Sequence, residues 1–508
     1  MLFITGRMSQ REAPLYRAAK NYLQKKYTPL HVPLHGRGGT FLLSWQRDFF
    51  CHLQWDLTEL PPLDDLHLPR GVIAKAQKLA ASLFRADISF FLVNGVTGGM
   101  LALFLGVCQP GDKVLISRLS HKSVHTGIIL SGARPVYLPV EREPLSGFPL
   151  NLSPTLVERA VKEHPDARLL LVTSPSYWGV TCDLEAIRKI TEDYGMLLAV
   201  DEAHGTYLPF MEDKFPHSAK TGADIWLHSA HKSLGAITAG GFLHLRDNSL
   251  REKVAFWLQA VQSSSPSYPV MISLDLARRR AALHGKELFG GLWEWALHLR
   301  NVLTRKGVPH LSVKAVNRCG FKLDPARLTF FSPGGNARSF AVELAKKYRA
   351  QVEMTGDSYL LAVAGPAVLN TPPSFLGNAF SRVLKKDNIL SRTTSRGFCH
   401  TDFPLPFFSG DLRRPDDAEK KVFSFVPQAL SPRDALHLPY QKVPLEKAGG
   451  KRCGEMVILS PPGIPLVSPG ERITADIITF LQHKCAAGWL FQGVSDPWLQ
   501  KIKVIYEE

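Results

Sequence analysis

The 508-residue chain has no C-x-x-C pair, no internal repeat and no low-complexity tract. It also lacks an apolar run of the roughly 18 residues needed to span a bilayer. The seven cysteines, at 51, 108, 182, 319, 399, 453 and 485, are odd in number and widely spaced, which argues against a disulfide framework or a metal site of the zinc type. Cys51–His52 and Cys399–His400 read as chance neighbours with reduced thiols. The opening MLFITGRMSQ has no basic n-region or cleavage signature, so no signal peptide is expected and Met8 is an alternative start. Together these absences point to the cytoplasm and away from a membrane. A basic tail is missing too. The net charge of +16, from 61 basic and 45 acidic residues, is scattered in clusters as short as Lys25–Lys26, Arg278–Arg280 and Lys385–Lys386. It reads as solvated surface, with no nucleic-acid partner expected. With 45% apolar and 21% charged residues the chain is compositionally globular.

Short apolar runs alternate with amphipathic stretches. Helices are expected over 10–27 and 70–86. Strands are expected at Ser89–Asn94, Lys113–Ser117, Arg134–Leu138, Arg168–Thr173, Leu197–Asp201 and Asp224–Ser229. Ser153 is placed to cap a helix over 154–164, and Asp183 one over 184–194 that Gly195 stops. This rhythm predicts an α/β layer with a mostly parallel sheet, whose ligands bind beyond the carboxyl ends of strands. From about residue 277 a long helical stretch, interrupted near Gly290–Gly291, leads to a smaller α/β unit over 311–365 and a Pro/Gly-dense final segment with a helix over 471–484.

Four polar motifs fall at predicted strand ends. Asn94-Gly95-Val96-Thr97-Gly98-Gly99 follows the first strand; glycines there let backbone N–H groups approach a phosphate at a helix N-terminus, and Thr97 adds a hydroxyl. Ser120-His121-Lys122-Ser123 offers an imidazole able to stack on a flat ring. Asp201-Glu202-Ala203-His204 ends the strand LLAVD. Asp201 is an acid suited to keep a pyridine nitrogen protonated, and His204 is within reach of a ring oxygen. D-E-A-H also occurs in helicases, but the phosphate loop they require is missing. Ser229-Ala230-His231-Lys232 places a lysine where burial lowers its ammonium pKa and lets it form a Schiff base, with Ser229 and His231 as phosphate donors. Singly each motif is weak: a strand-end lysine is ordinarily solvated surface, and an Asp at a turn is ordinarily a cap.

In this order the motifs resemble the ornithine/lysine/arginine decarboxylase family, in its short form. The resemblance rests on HVPLHGRGG (31–39), LDDLHLPRGVIAKAQ (63–77), FLVNGVTGG (91–99), SHKSV (120–124), TSPSYWGV (173–180), VDEAHG (200–205), HSAHKSL (228–234), SSPSYP (264–269) and PPGIPLVSPGE (461–471). The chain departs from the family pattern at Leu34, Gly36 and Ser460, and in the segment LGAITAGG after Lys232; none of these belongs to the cofactor set.

The resemblance implies an aspartate-aminotransferase (fold type I) major domain over 1–310, a small α/β domain over 311–395 and a C-terminal domain over 396–508. It implies pyridoxal 5'-phosphate on Lys232, with Asp201 at the ring nitrogen, His121 on the ring face and His204 at the ring oxygen. Gly95, Val96, Thr97, Ser229 and His231 would lie about the phosphate. The implied reaction is decarboxylation of a basic L-amino acid in polyamine biosynthesis, arginine to agmatine first, then lysine to cadaverine or ornithine to putrescine. The implied assembly is a homodimer or larger, with sites at the interface. A cationic side chain needs a carboxylate, and Asp64, Asp65, Glu353 and Glu471 are the candidates. The positive net charge would not draw in such a substrate, so local acidity must. An aminotransferase of the same fold, or a non-catalytic or nucleic-acid-binding relative, is the alternative reading.

Overall fold

A computed structural model describes residues 8–25, 27–35, 37, 52–211, 214–332, 337–386, 430–460 and 462–506. Cys51, Cys399–His400, Gly36, the first seven residues and the 395/396 boundary lie outside this set.

Eight strands organise the first half: β1 (Ile88–Leu92), β2 (Lys113–Ser117), β3 (Arg134–Leu138), β4 (Leu169–Thr173), β5 (Val180–Thr181), β6 (Leu197–Asp201), β7 (Ile225–His228) and β8 (Gly241–Leu245). Seven form one sheet, in the order β1-β8-β7-β6-β4-β2-β3. The sheet is mixed. β2 runs parallel to β3 and β4, and β6 to β7, but β8 is antiparallel to both β1 and β7. The mostly parallel expectation missed β8, because Gly240–Gly241 reads as a turn in sequence while its backbone is already entering a strand.

The chain resolves into two compact units, residues 1–107 with 199–289, and residues 108–198 with 290–508. Each unit draws on two separate stretches of the chain.

In the first unit the helix Gly95–Val107 carries no charged side chain and is buried on most sides, as an all-apolar helix must be. Gly99 lets it lie close on the sheet: a Cβ there would come within 2.7 Å of Leu92 and 2.8 Å of Leu227. Phe84, just past the helix Val72–Leu83, packs on Phe242, His228 and His244 of the sheet. The helix Tyr268–Arg305, which begins in this unit and continues past residue 289, runs 38 residues without the expected break at Gly290–Gly291. Asp275 on this helix accepts the backbone N–H of Leu15 at 3.1 Å and pairs with Arg278 at 2.9 Å, both side chains fully buried.

In the second unit Ser153 caps Pro154–Glu163, and Asp183 caps Leu184–Asp193, as read from the sequence. The small α/β part holds a three-stranded antiparallel sheet of Arg327–Phe331, Tyr359–Val363 and Met354–Thr355. Its Phe331, Met354 and Leu361 share a core with Phe148, Trp178 and Leu323. The C-terminal part has its own core about Val457, Phe480, Leu481 and Val504. Among the described residues no helix is long and apolar enough to cross a membrane.

Candidate active site

The polar ends of β6 and β7 meet in the first unit. β6 ends on Asp201, which pairs in register with Leu227 of β7. Its carboxylate is 4% exposed and accepts the Ala203 N–H at 3.2 Å. Burial pushes this carboxyl above the usual carboxylate range; the Lys232 charge and the Ala203 N–H pull it partly back, and Glu202 adds to the rise. Lys232 sits in the single-turn helix Ala230–Ser233 that follows β7. Its Nζ lies 3.2 Å from Nε2 of the buried His204. Lys232 is an exposed residue of this unit.

The glycine turn lies against the same region. Gly95 adopts φ +69° and donates its N–H to Ala239 O at 2.8 Å. A Cβ at Gly95 would meet nothing within 4 Å, so the backbone here borders open space. Val96 is buried and approaches Gly241, while Thr97 is exposed in the first turn of the helix. Ser229 Oγ is 3.1 Å from His231 Nδ1, and that nitrogen is 3.3 Å from Gly240 O. A carbonyl only accepts, so Nδ1 carries the proton, and His231 offers a donor from Nε2 only as imidazolium. Half-burial lowers the pKa of this ring, which an adjacent phosphate would oppose.

His121 belongs to the second unit, where it caps the helix Lys122–Ser131. Its Nδ1 accepts the Ser123 N–H at 3.2 Å, which puts the ring proton on Nε2 and fixes the ring's orientation. A Cβ at Gly463 would lie 3.4 Å from the ring edge.

Two of the four carboxylates proposed for a cationic side chain are already saturated. Asp64 accepts the N–H groups of Arg70, Gly71, Ile73 and Ala74 at 2.8–3.2 Å, at the start of the helix Val72–Leu83. Glu471 receives a two-pronged bond from Arg118 at 2.7 and 3.0 Å, and the Ser468 N–H at 2.6 Å. Asp65 accepts the His67 N–H at 2.7 Å, and the exposed Glu353 accepts the Tyr177 hydroxyl at 2.7 Å.

Sequence reasoning missed a third set. Glu202, His228, His244 and Ser89 are each at most 3% exposed and bonded in file, at 2.8, 3.1 and 2.6 Å. Glu202 and His228 stand inside DEAH and IWLHSAHK, where only pairing between strands shows what they meet.

Residues 13–335 match the family model described as Orn/Lys/Arg decarboxylase, major domain, and residues 418–496 that of the C-terminal domain. The chain belongs to the Orn/Lys/Arg decarboxylase family. It is 32% identical to an arginine decarboxylase of Bacillus anthracis over 515 residues, covering 99% of both chains. It is 31% identical to an arginine decarboxylase of Bacillus subtilis (strain 168) over 513 residues, again covering 99% of both. Among solved structures, lysine decarboxylase A from Pseudomonas aeruginosa superimposes with a TM-score of 0.78 at 22% identity, over 97% of this chain and 80% of that one. The fold is fold type I, and the protein is a pyridoxal 5'-phosphate-dependent amino-acid decarboxylase acting on a basic amino acid. The residues fit that cofactor. Asp201 is a buried carboxylate whose ionised form calls for a cation, which a protonated ring nitrogen supplies, and the open backbone at Gly95 suits a phosphate.

Proposed function

We propose that the chain decarboxylates L-arginine to agmatine, with lysine and ornithine as the next candidates, and so serves polyamine biosynthesis in the cytoplasm. The full-length likeness to two arginine decarboxylases carries the choice of arginine. When bound, pyridoxal phosphate supplies an electron sink for the pair left at Cα as CO2 departs.

The chain's own residues do the rest. Lys232 holds the cofactor, and Asp201 accepts the ring N–H and keeps that proton in place. The first-turn backbone at Val96 and Thr97, with Ser229 and His231, receives the phosphate, and Gly95, whose own N–H is given to Ala239 O, leaves room for it by having no Cβ. His204 serves the ring oxygen and His121 the ring face. The Nζ–Nε2 distance of 3.2 Å supports proton passage between Lys232 and His204, and so a role for Lys232 in returning a proton to Cα. A site that fixes the substrate's Cα–carboxylate bond relative to the cofactor would select that bond for cleavage, which is catalysis by orientation. Asp65 and Glu353 keep more free acceptor capacity than Asp64 or Glu471 and are the better partners for a guanidinium. A homodimer or larger assembly with sites at the interface completes the reading.

The test is to supply purified protein and cofactor with arginine, lysine and ornithine, and to measure CO2 and amine. Agmatine with CO2 is the expected result. Keto acid without CO2 would refute decarboxylation, and amine formed fastest from lysine or ornithine would refute the choice of arginine.

A further inference from the structure

The chain leaves β1 at Leu92 and has entered the helix Gly95–Val107 by Gly95. Across this step neither the sheet nor the helix supplies acceptors for the N–H groups of Val93 and Gly95, so these must be satisfied from elsewhere. Two other segments of the same unit do so. The Val93 N–H donates to Oε1 of Gln262 at 2.8 Å, and the Gly95 N–H donates to Ala239 O at 2.8 Å. Between them Asn94 donates from Nδ2 to Val261 O at 3.3 Å, and its carbonyl accepts the Gly98 N–H, also at 3.3 Å. A backbone N–H only donates, so the contacts of Val93 and Gly95 run one way, and the Gln262 amide is oriented with its oxygen towards Val93.

Gln262 is placed by a helix end. The helix Arg251–Val261 lies along Gly95–Val107, so close at Gly106 that a Cβ there would come 3.4 Å from the Lys253 backbone. It stops at Val261, because Gln262 turns to extended backbone at φ −99° and ψ 154°. The Val261 carbonyl is thereby one of the acceptors orphaned at a helix C-terminus, and Asn94 takes it. The Gln262 side chain is 7% exposed and turns back to Val93.

Ala239 is placed by strain. Its φ is +72°, the left-handed region that a residue with a Cβ seldom adopts. Such a conformation persists only where its surroundings fix it. Here two successive carbonyls are engaged: Ala239 O accepts the Gly95 N–H, and Gly240 O accepts the His231 N–H at 3.2 Å. The strained step ties the glycine turn to the short helix that carries Lys232.

We propose that Gln262 and Ala239 are positioning residues for the cofactor phosphate. They fix the residues just ahead of Val96 and Thr97, whose N–H groups have no hydrogen-bond partner among the described residues. The inference rests on the reading that this turn receives the phosphate. Both residues act through the turn.

The test compares pyridoxal 5'-phosphate with pyridoxal, which carries the same aldehyde and no phosphate. The ratio of their affinities, titrated by the absorbance of cofactor held on the protein, isolates the phosphate contribution, and melting temperature is read alongside. Gln262→Met keeps the length of the side chain and removes the acceptor. Ala239→Val puts a β-branched side chain at a φ it does not hold. In each the ratio should fall about fivefold, the contribution of one neutral hydrogen bond, while pyridoxal affinity stays within twofold. Ala239→Gly accommodates the positive φ without strain and should keep the ratio within twofold. Val254→Ala thins the buried side of the helix Arg251–Val261, so it should lower the melting temperature and leave the ratio in place. A ratio within twofold of the unaltered protein in Gln262→Met or in Ala239→Val, or an equal fall in Val254→Ala, would overturn the proposal. Should one of the first two variants not fold, the other decides. Thr97→Pro removes a first-turn N–H and a hydroxyl where a helix tolerates proline. If it lowers the ratio and the Gln262 and Ala239 variants do not, the phosphate site stands and only the present inference fails. If it leaves the ratio fixed, the reading of the turn fails first and takes this inference with it.

Discussion

Asp201→Asn should have opposite effects on the cofactor-free and cofactor-bound protein. The substitution keeps the shape and the acceptor for the Ala203 N–H, at 3.2 Å in the unaltered protein, and removes the charge. With cofactor bound, a charge-assisted hydrogen bond to the ring nitrogen becomes a neutral one. Hydrogen bonds to charged groups contribute about 1.5–3 kcal/mol, and about 1.4 kcal/mol is tenfold in affinity. The neutral bond retains about 1 kcal/mol, so cofactor affinity should fall roughly 2- to 30-fold. Without cofactor the sign reverses. Burial raises the folded-state pKa of Asp201 above its ordinary 3.8, so the stability linked to its proton is present below that value. It is lost as pH rises through the raised folded value. Asn does not titrate, so the stability advantage of Asp201→Asn over the unaltered apoprotein should grow across that window and persist at neutral pH. Calorimetry of the apoproteins across that pH range, with a spectrophotometric titration of cofactor, measures both. Unchanged cofactor affinity, or an apo-variant less stable than the unaltered protein at neutral pH, would refute the assignment of Asp201.

Lys232→Ala should abolish the absorbance band of covalently held cofactor; an unchanged band would mean that another lysine carries it. Glu471→Gln leaves the buried Arg118 guanidinium short of its partner and should cost about 3 kcal/mol in denaturant unfolding. Its KM for arginine should stay within twofold if Glu471 serves Arg118 rather than substrate. Asp64→Ala removes the acceptor for four backbone N–H groups at one helix start and should cost about 2 kcal/mol. A large rise in KM with no loss of stability would return Asp64 to the substrate site.

Much of this was legible because strand ends are marked by local chemistry. KVLIS, RPVYL and LLAVD are strands to the residue, since each is a short buried run closed by polar or turn-forming neighbours. Ser153 and Asp183 were readable as caps for the same local reason. β8 was not: its glycines look like a turn, and its pairing with β7 on one side and with β1, some 150 residues earlier, on the other makes it a strand. The same long-range pairing hid the buried file, whose members are ordinary in sequence and meaningful only in register. Glu471 illustrates the converse. A carboxylate is visible in sequence, but its saturation by Arg118 is a tertiary fact.

The antiparallel pairing of Ile88 with Leu245 also governs the order of events at the ribosome. The glycine turn, the acid and the lysine leave the exit tunnel in that sequence, yet β1, which holds the turn, has no sheet neighbour until β8 is made. A nascent chain ending before residue 245 therefore carries an unpaired apolar strand, a hazard for aggregation. Fragments cut at 107 should be insoluble for the same reason, and the enzyme cannot be divided there into two independently expressed halves.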